Sequence, residues 1–179
     1  HQLRSDALII TVRHRTFAEA NSDGSVGGSL PLAGGQQTLT GVSAYNGPTT
    51  VNGGTLIVNG TLAASAGFVN AGGTLAGAGQ LQGVDVAGGT LAPGSAANPF
   101  GPLHLSGSLT FTAASTYLVQ ISSTNASLTQ ANGGADLGGA TVRANFSGTL
   151  QKQYTILDAG GGLFGTTFNP TVVSNMSAV

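Results

Sequence analysis

The chain has no cysteine. Disulfides, thiolate nucleophiles and cysteine-based zinc sites are therefore excluded together. Tryptophan is also missing, methionine occurs once, and Asp, Glu, Lys and Arg make up only 6% of 179 residues, against roughly 25% in ordinary soluble domains. Few groups remain from which to assemble an acid–base site. With five basic residues and a formal charge of −1 there is no basic stripe to neutralise phosphates, which excludes nucleic acid as a partner. No run approaches the roughly 20 apolar residues of a membrane helix, the longest early one covering residues 7–12. Six prolines, and no glycine at every third position, exclude a collagen-like rod.

What is present is glycine, at 30 positions, together with many serines and threonines and a hydrophobic share of 40%. Disorder fits poorly, because disordered chains combine low hydrophobicity with high net charge. The few charges are unevenly spread. Arg4, Asp6, Arg13, Arg15, Glu19 and Asp23 crowd the first 23 residues, whereas residues 24–142 carry only Asp85 and Asp136. The head, residues 1–31, reads as one strand over residues 8–12 followed by a linker, either upstream native sequence or vector-derived. A first residue that is His rather than Met, with no signal-peptide layout after it, makes the chain read as a piece of a longer protein.

From residue 32 the chain repeats itself. Gly-Gly-Thr-Leu occurs at 53–56, 72–75 and 88–91, with the echo Gly60-Thr61-Leu62 after the first copy. Each copy is flanked by short β-prone segments, and no window long enough for a helix is free of glycine, which costs roughly 1 kcal/mol per interior helical position. The pattern predicts an all-β chain. A hairpin meander and a parallel solenoid are both compatible with it, and the near-constant spacing of like residues favours stacking, with Leu56, Leu75 and Leu91 in one ladder about 4.8 Å per step. One position is irregular: counted back from the Gly-Gly pair, Asn70 falls where Val51 and Val86 sit. A one-residue shift that turns Val69 inward is favoured over a buried Asn70. Beyond Pro93 the period lengthens, and Leu103/Leu105, Leu109/Phe111, Tyr117/Val119/Ile121, Val142/Ala144/Phe146 and Tyr154/Ile156 share parities. Aromatics concentrate in this later section, which is expected to hold the bulkier core.

Residues 34–62, from Gly34-Gly35-Gln36-Gln37-Thr38-Leu39 through Tyr45-Asn46-Gly47-Pro48 and Val51-Asn52-Gly53-Gly54-Thr55-Leu56 to Asn59-Gly60-Thr61-Leu62, resemble the autotransporter-associated β-strand repeat. Ala87-Gly88-Gly89-Thr90-Leu91-Ala92-Pro93-Gly94, and later Tyr154-Thr155-Ile156-Leu157-Asp158-Ala159-Gly160-Gly161 with Gly165-Thr166-Thr167-Phe168, are similar to the C-terminal passenger region of pertactin-like type V autotransporters. The resemblance spans residues 32 to about 170. It implies a right-handed parallel β-helix with a C-terminal capping, autochaperone-like section that folds first, displayed on the bacterial cell surface through an outer-membrane β-barrel. On that reading residues 32–100 are repeat-bearing rungs, 101–170 the C-terminal passenger section and 171–179 a tail leading to the barrel, which is the expected partner. The absence of cysteine suits such export, since an early disulfide would fix a loop before passage through a pore.

The candidate chemistry is sparse. A serine hydrolase needs Ser, His and an acid within reach of one another. His1 and His14 lie in the head, and His104 has the opposite parity to Leu103 and Leu105, so it is expected at the surface. Leu105-Ser106-Gly107-Ser108 only superficially evokes a nucleophile elbow. A glycan-cleaving β-helix needs paired carboxylates, and Asp85, Asp136 and Asp158 stand 51 and 22 residues apart; outward or turn-capping roles are expected. The single Gly133-Gly134-Ala135-Asp136 lacks the tandem copies a calcium-binding nonapeptide requires. The sequons at Asn59, Asn125, Asn145 and Asn175 read as coincidence in a chain so rich in Asn, Ser and Thr. The sequence reading therefore assigns no catalytic, cofactor-binding or metal residue and no enzymatic activity. It gives a structural stem as first choice, an adhesin binding itself or a host surface through a flat Thr-rich face as second, and a β-helical glycan-cleaving enzyme as third.

Overall fold

The short β-prone segments between glycine corners fold as parallel strands stacked on their own repeats. A computed structural model describes residues 15–17, 29–43, 45–149 and 153–176. The strand expected over residues 8–12, and His1 and His14, lie outside the described residues. Strand β1 (Arg15–Phe17) is followed by a first coil of β2 (Leu30–Leu32) and β3 (Gln36–Leu39). Three further coils follow: β4 (Thr49–Val51), β5 (Gly54–Val58) and β6 (Thr61–Leu62); β7 (Gly67–Asn70), β8 (Gly73–Gly77) and β9 (Gln80–Leu81); β10 (Val84–Ala87), β11 (Thr90–Pro93) and β12 (Leu103–Leu105). Two more coils complete the stack: β13 (Leu109–Phe111), β14 (Thr116–Ser122) and β15 (Thr129–Ala131); β16 (Ala135–Asp136), β17 (Thr141–Ser147) and β18 (Leu157–Ala159), after which comes β19 (Val173–Ser174).

From β4 to β18, every third strand falls in the same sheet. Sheet A runs β2-β4-β7-β10-β13-β16, sheet B runs β1-β3-β5-β8-β11-β14-β17-β19, and sheet C runs β6-β9-β12-β15-β18. All of these strand pairs are parallel. The described chain is thus all-β, without a helix, and forms a three-sheet parallel β-helix. The first stacked coil begins at Leu30, two residues ahead of the boundary drawn from the repeats, and Leu30 is already buried.

The interior is a set of side-chain ladders. In sheet B, Gln37, Leu56, Leu75, Leu91, Tyr117 and Val142 stand in one inward row. The expected Leu56–Leu75–Leu91 ladder therefore exists, with a buried Gln37 above it and Tyr117 below. In sheet A the row is Leu32, Val51, Val69, Val86 and Phe111, and in sheet C it is Leu62, Leu81, Leu105 and Ala131. Because alternate residues face opposite sides of a strand, the intervening positions form equally regular outward rows. Val69 pairs with both Val51 and Val86 and is fully buried, so the shift expected at this coil is present. The extra residue is absorbed at the corner between β7 and β8. There Asn70 Nδ2 donates to Asn52 Oδ1 at 2.6 Å on the outside.

Glycine at the corners answers to steric crowding between coils. A Cβ on Gly54, whose φ is +73°, would sit 2.1 Å from the carbonyl oxygen of Gly35 in the coil above. No L-residue with a side chain fits that position.

Candidate functional site

With the interior filled by apolar ladders, ligand chemistry can reside only on the outward rows and at the corners. Sheet A presents Pro31, Thr50, Phe68, Asp85, Thr110 and Asp136 in one row. Sheet C presents Thr61, Gln80, His104, Gln130 and Asp158. Stacking thus assembles pairs that sequence distance had kept apart, Asp85 with Asp136 on one face and His104 with Asp158 on another. In each pair one strand stands between the two members, so the backbones are two strand spacings, roughly 9.6 Å, apart.

That separation alone would suit two carboxylates flanking a glycosidic bond with a water between them. The surroundings do not. Asp85 is exposed, and Asp136 Oδ1 accepts the backbone N–H of Gly138 at 3.0 Å as a turn cap. The outward and turn-capping roles expected of the acids match these positions. His104 is exposed, between Gln80 and Gln130. The hydroxyl of Ser106 donates to the corner carbonyls of Leu81 and Gln82 at 3.4 and 3.3 Å, so Leu105-Ser106-Gly107-Ser108 is a coil corner. A depression of about 250 Å³ at the adjoining corner is lined by Gly67, Gln82, Gly83, Asp85 and Ser108, among others. Among the described residues no group of three or more His, Asp or Glu is placed to hold a metal ion.

Two of the four sequon asparagines, Asn59 and Asn175, bond backbone groups through their side chains. Asn59 Oδ1 accepts the N–H of Ala78 at 3.2 Å, and Asn175 holds β17 by accepting from Phe146 N at 2.7 Å and donating to Phe146 O at 3.2 Å.

Two buried hydroxyl clusters lie inside the stack. Tyr45 Oη lies 2.7 Å from Thr49 Oγ1, which lies 2.8 Å from Ser65 Oγ, and Ser65 in turn donates to the carbonyl of Gly47. Tyr117 Oη donates to Thr129 Oγ1 and to the carbonyl of Ile156. Burial pushes both phenols above the ordinary tyrosine value, against the smaller opposing effect of their hydrogen bonds. Neither is open to a ligand, so both are structural clasps.

The Thr-rich outer face read from the repeats lies on sheet B. Thr55, Thr74, Thr90, Thr116 and Thr141 form an unbroken outward row. Two residues further along the strands lie Ile57, Ala76 and Ala92. Gly77 and Gly94 exchange two backbone hydrogen bonds, of 2.9 and 2.8 Å, and the turn that follows stands along this second row. Together they enclose a groove of about 310 Å³. The lengthened period beyond Pro93 was its only sign in the sequence. No protein-family model matches the chain, and no curated protein matches it.

Proposed function

We propose that the chain is a structural stem: a β-helical passenger segment of the autotransporter kind that supports surface display and helps fold an exported chain. The observation that supports this reading is the single cluster of buried hydrophobic side chains that runs from Leu30 in the first coil to Ala144 in the last. Such a stack grows one coil at a time, because each finished coil offers a row of backbone N–H and C=O groups to the next. Folding outside the cell then opposes backsliding of the chain. The bulkier coils from β12 onward are the seed on this reading, and an outer-membrane barrel the partner.

The test is to display the chain upstream of an outer-membrane β-barrel and delete residues 103–168. Loss of surface protease resistance in the remaining coils is the expected result, and unchanged resistance overturns the folding role. The adhesin reading gains from the Thr row. It is tested for self-adhesion by sedimentation of the isolated chain, where a strictly monomeric result at high concentration counts against it.

A further inference from the structure

We propose that Asn52 is a self-modifying site, at which the chain converts its own asparagine to aspartate through attack by the Gly53 backbone nitrogen. Asn-Gly occurs four times, at residues 46–47, 52–53, 59–60 and 132–133, and all four asparagines are exposed. Glycine in second place leaves such an attack least hindered, because no Cβ shields the nitrogen. Four candidates are thus equivalent in sequence, and the fold separates them by what it does with the glycine N–H. Gly60 N donates to the carbonyl of Leu39 at 3.0 Å, and Gly133 N to the carbonyl of Gly107 at 2.9 Å. Each bond ties the nitrogen to the preceding coil and must break before it can turn towards the side chain. Gly47 N has no partner among the described residues, but the Gly47 carbonyl accepts from Ser65 Oγ at 2.7 Å and Pro48 follows, so this glycine is held from its far side. At Gly53 neither the N–H nor the carbonyl has a partner among the described residues.

The step needs only water and a base from solution. The Gly53 nitrogen gives up its proton and bonds to Asn52 Cγ, and the tetrahedral carbon expels ammonia, leaving a five-membered imide across residues 52 and 53. Water then opens the ring, at Cγ to give aspartate or at the backbone carbonyl to give isoaspartate. Asn52 and Asn59 form a matched pair for this chemistry. In both, the side-chain oxygen already accepts an N–H, from Asn70 Nδ2 at 2.6 Å and from Ala78 N at 3.2 Å, so the oxygen that turns negative in the tetrahedral intermediate faces a donor in either case. What differs is the nucleophile, open at Gly53 and tied to Leu39 at Gly60. Either product adds a carboxylate, taking the formal charge of the chain from −1 to −2. As aspartate, residue 52 still accepts from Asn70 Nδ2, now through a charge-assisted hydrogen bond.

Ageing the chain at mildly alkaline pH in heavy-oxygen water, folded and in parallel unfolded in urea, tests this by peptide mass mapping. In the unfolded sample the four Asn-Gly sites should convert at comparable rates. In the folded sample Asn52 should keep its unfolded rate to within about threefold, while Asn59 and Asn132 slow by about tenfold or more. The converted peptide should carry solvent oxygen, and the converted chain should run as a more acidic species on ion exchange. Asn52→Gln, whose longer side chain does not close the five-membered ring, should lose the early acidic species and melt like the parent. Conversion at any of the other three sites ahead of Asn52, slowing of Asn52 as strong as that of Asn59, or an early acidic species that survives in Asn52→Gln overturns the proposal.

Discussion

The coils fall into two groups that solve the same problem differently. From β2 to β10 the sheet A strands recur after 19, 18 and 17 residues, whereas β10 to β13 and β13 to β16 take 25 and 26. In the short coils neighbouring backbones approach so closely at several corners that only glycine fits, and the interior is mainly aliphatic, with a buried hydroxyl cluster at Tyr45, Thr49 and Ser65. The long coils have a clasp of their own at Tyr117 and add an aromatic cluster. Phe111, Tyr117 and Phe168 have ring centroids 5.6–5.9 Å apart, with Phe168, from the segment after β18, stacked on Tyr117. Both groups use crowded glycine corners, Gly77 in the short coils and Gly138 in the long ones, but the aromatic packing belongs to the long coils. The two groups should fail under different substitutions.

The largest effect is expected in the short group. Gly77 has φ +123°, and a Cβ there would lie 2.0 Å from the carbonyl oxygen of Val58. The obstacle is backbone held in the adjacent strand, so it cannot swing aside. Gly77→Ala should cost about 3 kcal/mol or more, or prevent folding of the adjoining coils. Gly139 in the long group has φ +76° but only the Ala113 Cβ near, at 3.9 Å. Gly139→Ala should cost only the backbone strain, about 1–2 kcal/mol. Urea unfolding of both variants checks this, and equal losses would erase the distinction.

Next in size is Tyr117→Phe, expected to cost about 1–3 kcal/mol because Thr129 Oγ1 and the Ile156 carbonyl lose their donor inside the core. Tyr45→Phe should cost less, since Thr49 and Ser65 keep their mutual hydrogen bond. Both phenols have folded-state values raised above about 10, so above that pH the unfolded chain releases protons that the folded chain retains. The stability they contribute is complete below pH 10 and falls as pH rises through and beyond it. A pH series of urea midpoints should show that fall in the parent and a shallower one in Tyr117→Phe. An identical slope would remove the clasp from the account of the long coils.

A gain is expected at the top of the short group. Gln37 is fully buried, and neither its Oε1 nor its Nε2 has a hydrogen-bond partner among the described residues. An unpartnered buried amide costs free energy, and its row continues below with Leu56, Leu75 and Leu91. Gln37→Leu should therefore raise stability by about 1–2 kcal/mol, read as a higher urea midpoint at unchanged slope. A loss instead would mean that the amide has a partner, and that the first coil is specified by polar contact as the long ones are.

How far the sequence disclosed this can be argued from particular residues. The Leu ladder was legible because three copies of one tetrapeptide place the same residue after the same corner. The pairing of Asp85 with Asp136, and of His104 with Asp158, was not, because the long coils change the step between strands and parity alone does not count coils. The groove beside Ala92 was hidden for a related reason: it is formed by a turn folding back on an outward row, and nothing periodic announces such a contact. The strand expected around Tyr154 and Ile156 shows the same limit. It lies instead at Leu157–Ala159, where its partner β15 fixes the register, while the Tyr154 hydroxyl donates to the carbonyl of Ser122 at 2.9 Å.

Asn70 gives the smallest effect and the sharpest test of register. Counting from the Gly-Gly pair would put it inward, where Asn70→Val should stabilise by filling the row with an aliphatic side chain. The stack instead pairs Val69 with Val51 and Val86 and leaves Asn70 partly exposed on the outer side of the corner, hydrogen-bonded to Asn52. Asn70→Val should then change stability by no more than about 0.5 kcal/mol, while Val69→Asn should cost several-fold more by burying an amide in the apolar row. The pair is informative because a one-residue slip in a strand exchanges its two faces completely. If Asn70→Val stabilised and Val69→Asn were harmless, the corner would hold no extra residue, and the short coils would be strictly periodic in a way this stack is not.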